Sequence, residues 1–176
     1  ARKPEVNYVP PNIKVFAQPS NKVVLILSVL WQRLFLRIKE PEIYKSLSAI
    51  IQSRVINRGH PWILWAKYLP VVKNHPDIFH IQWAKGVEEW MFLKEHMGVK
   101  LVLSLRGTHI TNSPLSDEAI ASSYRRCFPV IDGFHAVSKE ISGEAEQYGA
   151  KKEKIKVIYS AVDRNAVRNF EKEKFI

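Results

Sequence analysis

Residues 77–159 alternate short apolar runs with segments of helical period, and a glycine, proline or capping residue marks each change. Pro76 stops the preceding chain, and Asp77 to Gln82 (DIFHIQ) predict a strand. Gly86 to Met97 predict a helix with Val87, Trp90 and Met91 inward, closed by Gly98 as its C-cap. Lys100 to Leu105 predict the next strand. Ser116 then caps a helix with Asp117 and Glu118 in its first turn and Ile120, Tyr124 and Cys127 on its inner face. Gly133 to Val137 predict a strand, Ser138 caps a helix that Gly149 ends, and Ile155 to Tyr159 predict a last strand. Strands separated by helices of this length pair in parallel, because each return crossover needs about a dozen residues. The expected fold class is α/β, a parallel sheet with helices on both faces.

The first 75 residues are punctuated differently. Pro4, Pro10 and Pro11 make the opening extended or loop, and Ile13 to Ala17 predict a short strand. Val23 to Leu36 is the longest apolar run, interrupted by Ser28, Gln32 and Arg33. It is shorter than the ~20 residues of a membrane span. The plain reading is a buried core helix or strand, and its length favours the helix. The sharper one is a surface helix dipping into a bilayer, with Lys22, Arg33, Arg37 and Lys39 meeting lipid phosphates. Pro41 and Pro61 open two more helices. Ile43, Leu47, Ile50 and Ile51 form the inner face of the first, which Gly59 ends, and Trp62, Trp65 and Leu69 form that of the second. These tryptophans read as core. Residues 163–176 are polar and charged, with no core face.

The net charge of +10 and a pI of about 9.7 favour an anionic partner. The single cysteine, Cys127, excludes an internal disulfide and reads as a small buried hydrophobe. The sequence contains neither a GxGxxG nor a GxxxxGK[ST] phosphate loop, and its six histidines show no zinc spacing. Basic residues are not interleaved with aromatics, which argues against nucleic acid.

Ligands of parallel α/β sheets bind beyond the carboxyl ends of the strands. Those ends carry Gln82, Trp83 and Lys85, then Arg106, Gly107, Thr108 and His109, then Ser138 and Lys139, then Ser160. Two of these loops run into helix N-termini, whose free N–H groups favour anions. The edge therefore predicts a phosphate or polyol site. His80 and His135 fall inside predicted strands and read as hydrogen-bonded buried residues.

The stretches PDIFHIQW, VKLVLSLRGTHI and IDGFHAVSKEISGEAEQYGAKKEKIKVIYSAVD, in this order and spacing, resemble the N-terminal domain of family 4 glycosyltransferases. There a "DIIHAHW" strand precedes a "TLHGSD"-like loop, then "aD.vhaVSe.i...a..yGa...KI.viynGVD". The resemblance covers about half the chain, most specifically in its VSKEI…YGA…KIKVIYSAVD block.

It implies one half of a GT-B fold, a Rossmann-like domain. Residues 1–162 would be the acceptor domain without its first strand-loop unit, and 163–176 the start of the linker to an absent donor-binding domain. The implied activity is retaining transfer from a nucleotide-sugar to a polysaccharide or lipid-linked acceptor. The implied enzyme is cytoplasmic, meets the acidic inner membrane face, uses no metal or other cofactor, and is inactive as this piece alone. Arg106 replaces the family's "HG" histidine and would stabilise charge on the departing diphosphate. Gly107 matches directly, His109 stands where an aspartate is frequent, and Lys139 replaces the acid of "VSe". Trp83, Lys85, Thr108, His109, Ser138 and Lys139 would join Gly107 in lining the substrate cleft. The reading from another class is a non-catalytic Rossmann-like module that binds an anionic ligand or nucleic acid.

Overall fold

The structure, a computed structural model, describes residues 19–58 and 60–160. The expectations for residues 1–17, Gly59 and 163–176 lie outside the described residues. The chain divides into two compact units, Ala1–His75 and Pro76–Ile176.

In the first unit, α1 (Lys22–Lys39), α2 (Pro41–Arg58) and α3 (Pro61–Asn74) pack on one another. Asn21 caps α1 through Oδ1, which accepts the Val23 N–H at 2.9 Å. The buried residues of α1 are Val29 and Leu36, and they meet a core built from Leu47, Ile51, Trp65, Tyr68, Leu69 and Val72. The buried-helix reading of Val23 to Leu36 is therefore corrected. Val23, Leu27, Leu30, Trp31, Leu34 and Ile38 recur at helical spacing and are all exposed. One helix in a layer of three has only one face to bury. No described helix is long and apolar enough to cross a membrane.

The second unit runs β1 (Ile78–Ile81), a 3-10 turn at Ala84–Gly86, α4 (Val87–Met97), β2 (Lys100–Leu105), α5 (Thr108–Thr111), α6 (Ser113–Ser116), α7 (Glu118–Cys127), β3 (Gly133–Ala136), α8 (Lys139–Gln147) and β4 (Ile155–Val157). The four strands pair in parallel in the order β1-β2-β3-β4. This is the expected Rossmann-like α/β architecture. Predicted strand ends overshoot by one or two residues at Asp77, Gln82, Val137, Ile158 and Tyr159. The N-cap of α7 is Asp117, not Ser116. Ser113–Ser116 closes its own turn, and Asp117 Oδ1 accepts the Ala119 N–H at 2.9 Å.

Register sorts the side chains by face. Leu101, Leu103, Leu105, Phe134 and Ala136 point one way and are buried. Phe79 on that face meets Trp90 of α4 at 4.5 Å between ring centroids, and Phe134 meets Phe128 at 5.5 Å. Tyr124 stacks on Phe128 at 4.7 Å, and Tyr148 packs edge-on against both. Cys127 is buried as expected, and burial pushes its thiol up to about 11. The opposite set of side chains includes His80, Ser104 and His135.

Two residues fasten the crossovers. Asp132 accepts from both Lys94 Nζ, at 2.6 and 2.7 Å, and the Leu101 N–H at 2.9 Å, tying α4 and β2 to the entry of β3. Burial works to raise its carboxyl pKa, but Lys94 and the Leu101 N–H together hold it below the usual value. Gly149 sits at φ +89, and a Cβ there would stand 2.9 Å from Pro129 Cγ.

Asp132→Ala should cost about 1.5–3 kcal/mol at pH 7, the range for hydrogen bonds to a charged group. A carboxyl with a lowered folded pKa stabilises above its unfolded value of about 3.9, and that share is lost as pH falls through the folded value. The gap between wild type and variant in urea unfolding should thus hold from pH 7 to 5 and shrink below about pH 4. Gly149→Ala should cost at least about 1 kcal/mol from its left-handed backbone alone, at either pH.

Candidate functional site

Beyond the carboxyl end of β2, Arg106 is followed by Gly107 at φ 45 and ψ −142, a conformation that disfavours any residue with a Cβ. The turn opens α5, so Thr108 and His109 lie in a first helical turn and not in a loop. A Cβ at Gly107 would meet nothing within 4 Å, which leaves open space over this backbone. Ile110 behind it is fully buried, and Tyr124 donates to the His109 carbonyl at 2.8 Å, fixing the turn to α7.

The β1 end closes on the same place. Trp83 is 54% exposed, and its ring meets the His109 imidazole edge-on at 4.7 Å. His109 Nδ1 is buried without a hydrogen-bond partner among the described residues. Arg106 Nη2 donates to Gln82 Oε1 at 3.2 Å. The structure therefore brings Arg106, Gly107, Thr108, His109 and Trp83 together, with Gln82 as an added member. α8 packs beside α5, so Ser138 and Lys139 occupy the adjoining strand end. Ser138 Oγ is engaged in capping, accepting the Ile141 N–H at 3.3 Å. Lys85 and Lys139 are exposed at their own strand ends and make no contact that joins them to Arg106. Among the described residues, no three His, Cys, Asp or Glu side chains converge as metal ligands.

Behind Arg106 runs a line of hydrogen bonds across the sheet. Gln82 Nε2 lies 3.3 Å from His80 Nδ1, His80 Nε2 lies 2.9 Å from Ser104 Oγ, and Ser104 Oγ lies 3.3 Å from His135 Nδ1. His135 Nε2 lies 3.2 Å from the Ile158 carbonyl. Its ends fix its direction. A guanidinium only donates and a carbonyl only accepts. His135 must therefore carry its proton on Nε2 and accept from Ser104 at Nδ1. Ser104 then accepts from His80 Nε2–H, and His80 Nδ1 accepts from the Gln82 amide. The bond from the Gln82 amide requires the His80 imidazole neutral. Partial desolvation of the ring on its Ser104 side, reinforced by His135 and Arg106, lowers the His80 pKa and favours its neutral form.

His80 and His135 are hydrogen-bonded, as expected. His80 is nevertheless exposed, because β1 forms an edge of the described sheet. Sequence reasoning did not assemble the row, although a signal was there. Ser104 is a polar residue inside an apolar strand, and each neighbouring strand carries one histidine.

A family model described as Glycosyltransferase Family 4 matches residues 30–166. The chain belongs to glycosyltransferase family 4. No curated protein and no solved structure matches it. In this glycosyltransferase the "RGTH" turn follows the end of β2, and Arg106 meets Gln82 there rather than a carboxylate.

The direction of the chain predicts a titration. A histidine whose folded pKa is lowered contributes stability that is complete above the unfolded value of about 6.5. That contribution is lost as pH falls from there through the folded midpoint. Ring-nitrogen NMR should place the His80 midpoint below about 6.5, with the proton of the neutral form on Nε2. A midpoint above it, or a proton on Nδ1, would contradict the assigned direction.

Proposed function

We propose that this glycosyltransferase is a retaining enzyme and that its strand-end edge supplies the acceptor side of the cleft. It would move a sugar from a nucleotide-sugar to a polysaccharide or lipid-linked acceptor, with no metal or other cofactor. The observation that carries the reading is Arg106. Its guanidinium stands past the end of a parallel strand, oriented by the neutral Gln82 amide, beside a glycine turn with open space above it.

Breaking the donor's glycosidic bond leaves negative charge on the departing nucleoside diphosphate. A fixed cation aimed at developing charge lowers the barrier, because no reorganisation is needed as the charge appears. Arginine stays ionised throughout the working pH range, so Arg106 acts by charge and not by proton transfer. A neutral partner leaves its full charge available, and its remaining N–H groups suit the paired oxygens of a phosphate. Gly107, Thr108 and His109 shape the space for the sugar, and Trp83 offers it an exposed ring face. Lys85, Ser138 and Lys139 line the rest of the edge.

Lipid-linked acceptors place the enzyme at the acidic, cytoplasmic face of a membrane. The exposed apolar stripe of α1, with Lys22, Arg33, Arg37 and Lys39 around it, supports that location.

In the full-length protein, Arg106→Ala should lower the rate of sugar transfer by at least ~10²-fold, the scale for one charge-stabilising donor. Gln82→Ala, which frees the guanidinium without removing its charge, should lower it by less. Near-normal transfer by Arg106→Ala would make the edge a binding surface and not a catalytic one.

A further inference from the structure

The first unit holds a second cluster of cations. A groove of about 730 Å³ opens among α1, α2 and α3, lined by Arg33, Arg37, Tyr44, Ser48, Gln52 and Trp65, with Pro61 and Ile51 at its sides. Arg33 is fixed in it by rings. Its guanidinium carbon lies 4.5 Å from the Trp65 ring centroid and 5.5 Å from that of Trp62. Tyr44 stacks on Trp65 at 5.5 Å, and Arg33 Nη2 donates to Tyr44 Oη at 3.3 Å.

The charges are left open. Among the described residues, no carboxylate pairs with Arg33 or Arg37. Arg33 Nε is buried with no hydrogen-bond partner among the described residues. A buried donor without an acceptor is costly and marks a place where one is wanted. The Tyr44 hydroxyl accepts from Arg33 and also meets the Ser48 side chain. The Arg33 hydrogen bond, working against burial, draws that phenol below its ordinary pKa. Arg37 follows Arg33 by one helical turn, which puts both guanidiniums on one side of α1.

We propose that this groove is a binding site for a phosphate ester, held between the Arg33 and Arg37 guanidiniums and the Tyr44 hydroxyl over the Trp65 ring. Guanidiniums with several free N–H groups match phosphate oxygens, and the rings keep Arg33 from folding away. Ser48 and Gln52 supply neutral contacts at the rim. The phosphate ester has two sources, a lipid headgroup and a soluble phosphorylated molecule. The lipid case deepens the membrane-face reading above and rests on it, since the apolar stripe of α1 adjoins the two arginines around the helix. The soluble case is independent of that reading.

The test uses the full-length protein with two probes: vesicles of phosphatidylcholine with or without phosphatidic acid, and free glycerol 3-phosphate. Arg37→Gln removes an exposed charge from the groove, and Gln52→Glu adds a repelling carboxylate at its rim. Lys73→Gln removes the same charge from α3, exposed and outside the groove. Arg37→Gln and Gln52→Glu should each weaken phosphate-ester binding at least ~10-fold, with unchanged melting temperature, while Lys73→Gln changes it by less than ~2-fold. Binding to phosphatidic acid vesicles alone assigns the site to a lipid headgroup, and binding to glycerol 3-phosphate with equal sensitivity assigns it to a soluble ester. Equal losses in Lys73→Gln and Arg37→Gln would reduce the effect to diffuse charge and overturn the site, as would no binding of either probe. Both outcomes are separate from sugar transfer, which Arg106→Ala reports.

Discussion

The parallel register of β2 between β1 and β3 is the constraint on which the second unit depends. Side chains alternate between faces with a strict period of two, so one register decides both the core and the site. With Leu103 opposite Phe134 and Leu105 opposite Ala136, the apolar set of β2 is sealed into the core. The same pairing puts Ser104 opposite His135 and aims Arg106 towards the end of β1. A slip by one residue would bury Ser104 among aromatic rings and turn Leu103 and Leu105 outward. The site therefore needs no separate folding determinant.

The hydrogen-bonded row gives that site its electrostatic character. Arg106 is the fixed cation at its end, and the donors run from it across the sheet to the Ile158 carbonyl. Such a line orients the Gln82 amide so that its oxygen, not its nitrogen, faces the guanidinium. Reversal would set an N–H against a cation. Ser104 is the pivot, because a hydroxyl accepts from one imidazole while donating to the other. It is fully buried, so water does not substitute for either partner. The row lets a partly exposed arginine keep one orientation without a carboxylate that would cancel its charge.

Elements with strong local punctuation were legible in the sequence. The strand at Lys100–Leu105, the Ser138 cap and the Gly98 terminus follow from apolar runs, a hydroxyl and a glycine read in place. The cluster around Arg106 was legible for the same reason, since strand ends locate a site before any contact is known. The Asp117 cap was not, because Ser116, Asp117 and Glu118 all suit helix starts and the turn at Ser113–Ser116 decided among them. The row from Gln82 to Ile158 was not, because it depends on register between strands more than 20 residues apart. The exposed face of α1 stayed open between two readings, because apolar content alone does not say whether a partner is present to cover it.

Two sets of cations among the described residues differ in their partners. Lys45, Lys94, Arg125 and Arg126 meet Glu42, Asp132, Glu118 and Glu88, and each such pair is locally neutral. Arg106 and Arg33 are held instead by an amide oxygen in one case and by a phenol and two indole rings in the other. Neutral partners orient a guanidinium without cancelling it, so its field remains available to an anion. An arginine kept only for stability gains most from a well-placed carboxylate, and this sequence supplies carboxylates freely elsewhere. The choice of neutral partners at both positions is what a ligand of negative charge requires, since a resident carboxylate would have to be displaced before it could bind.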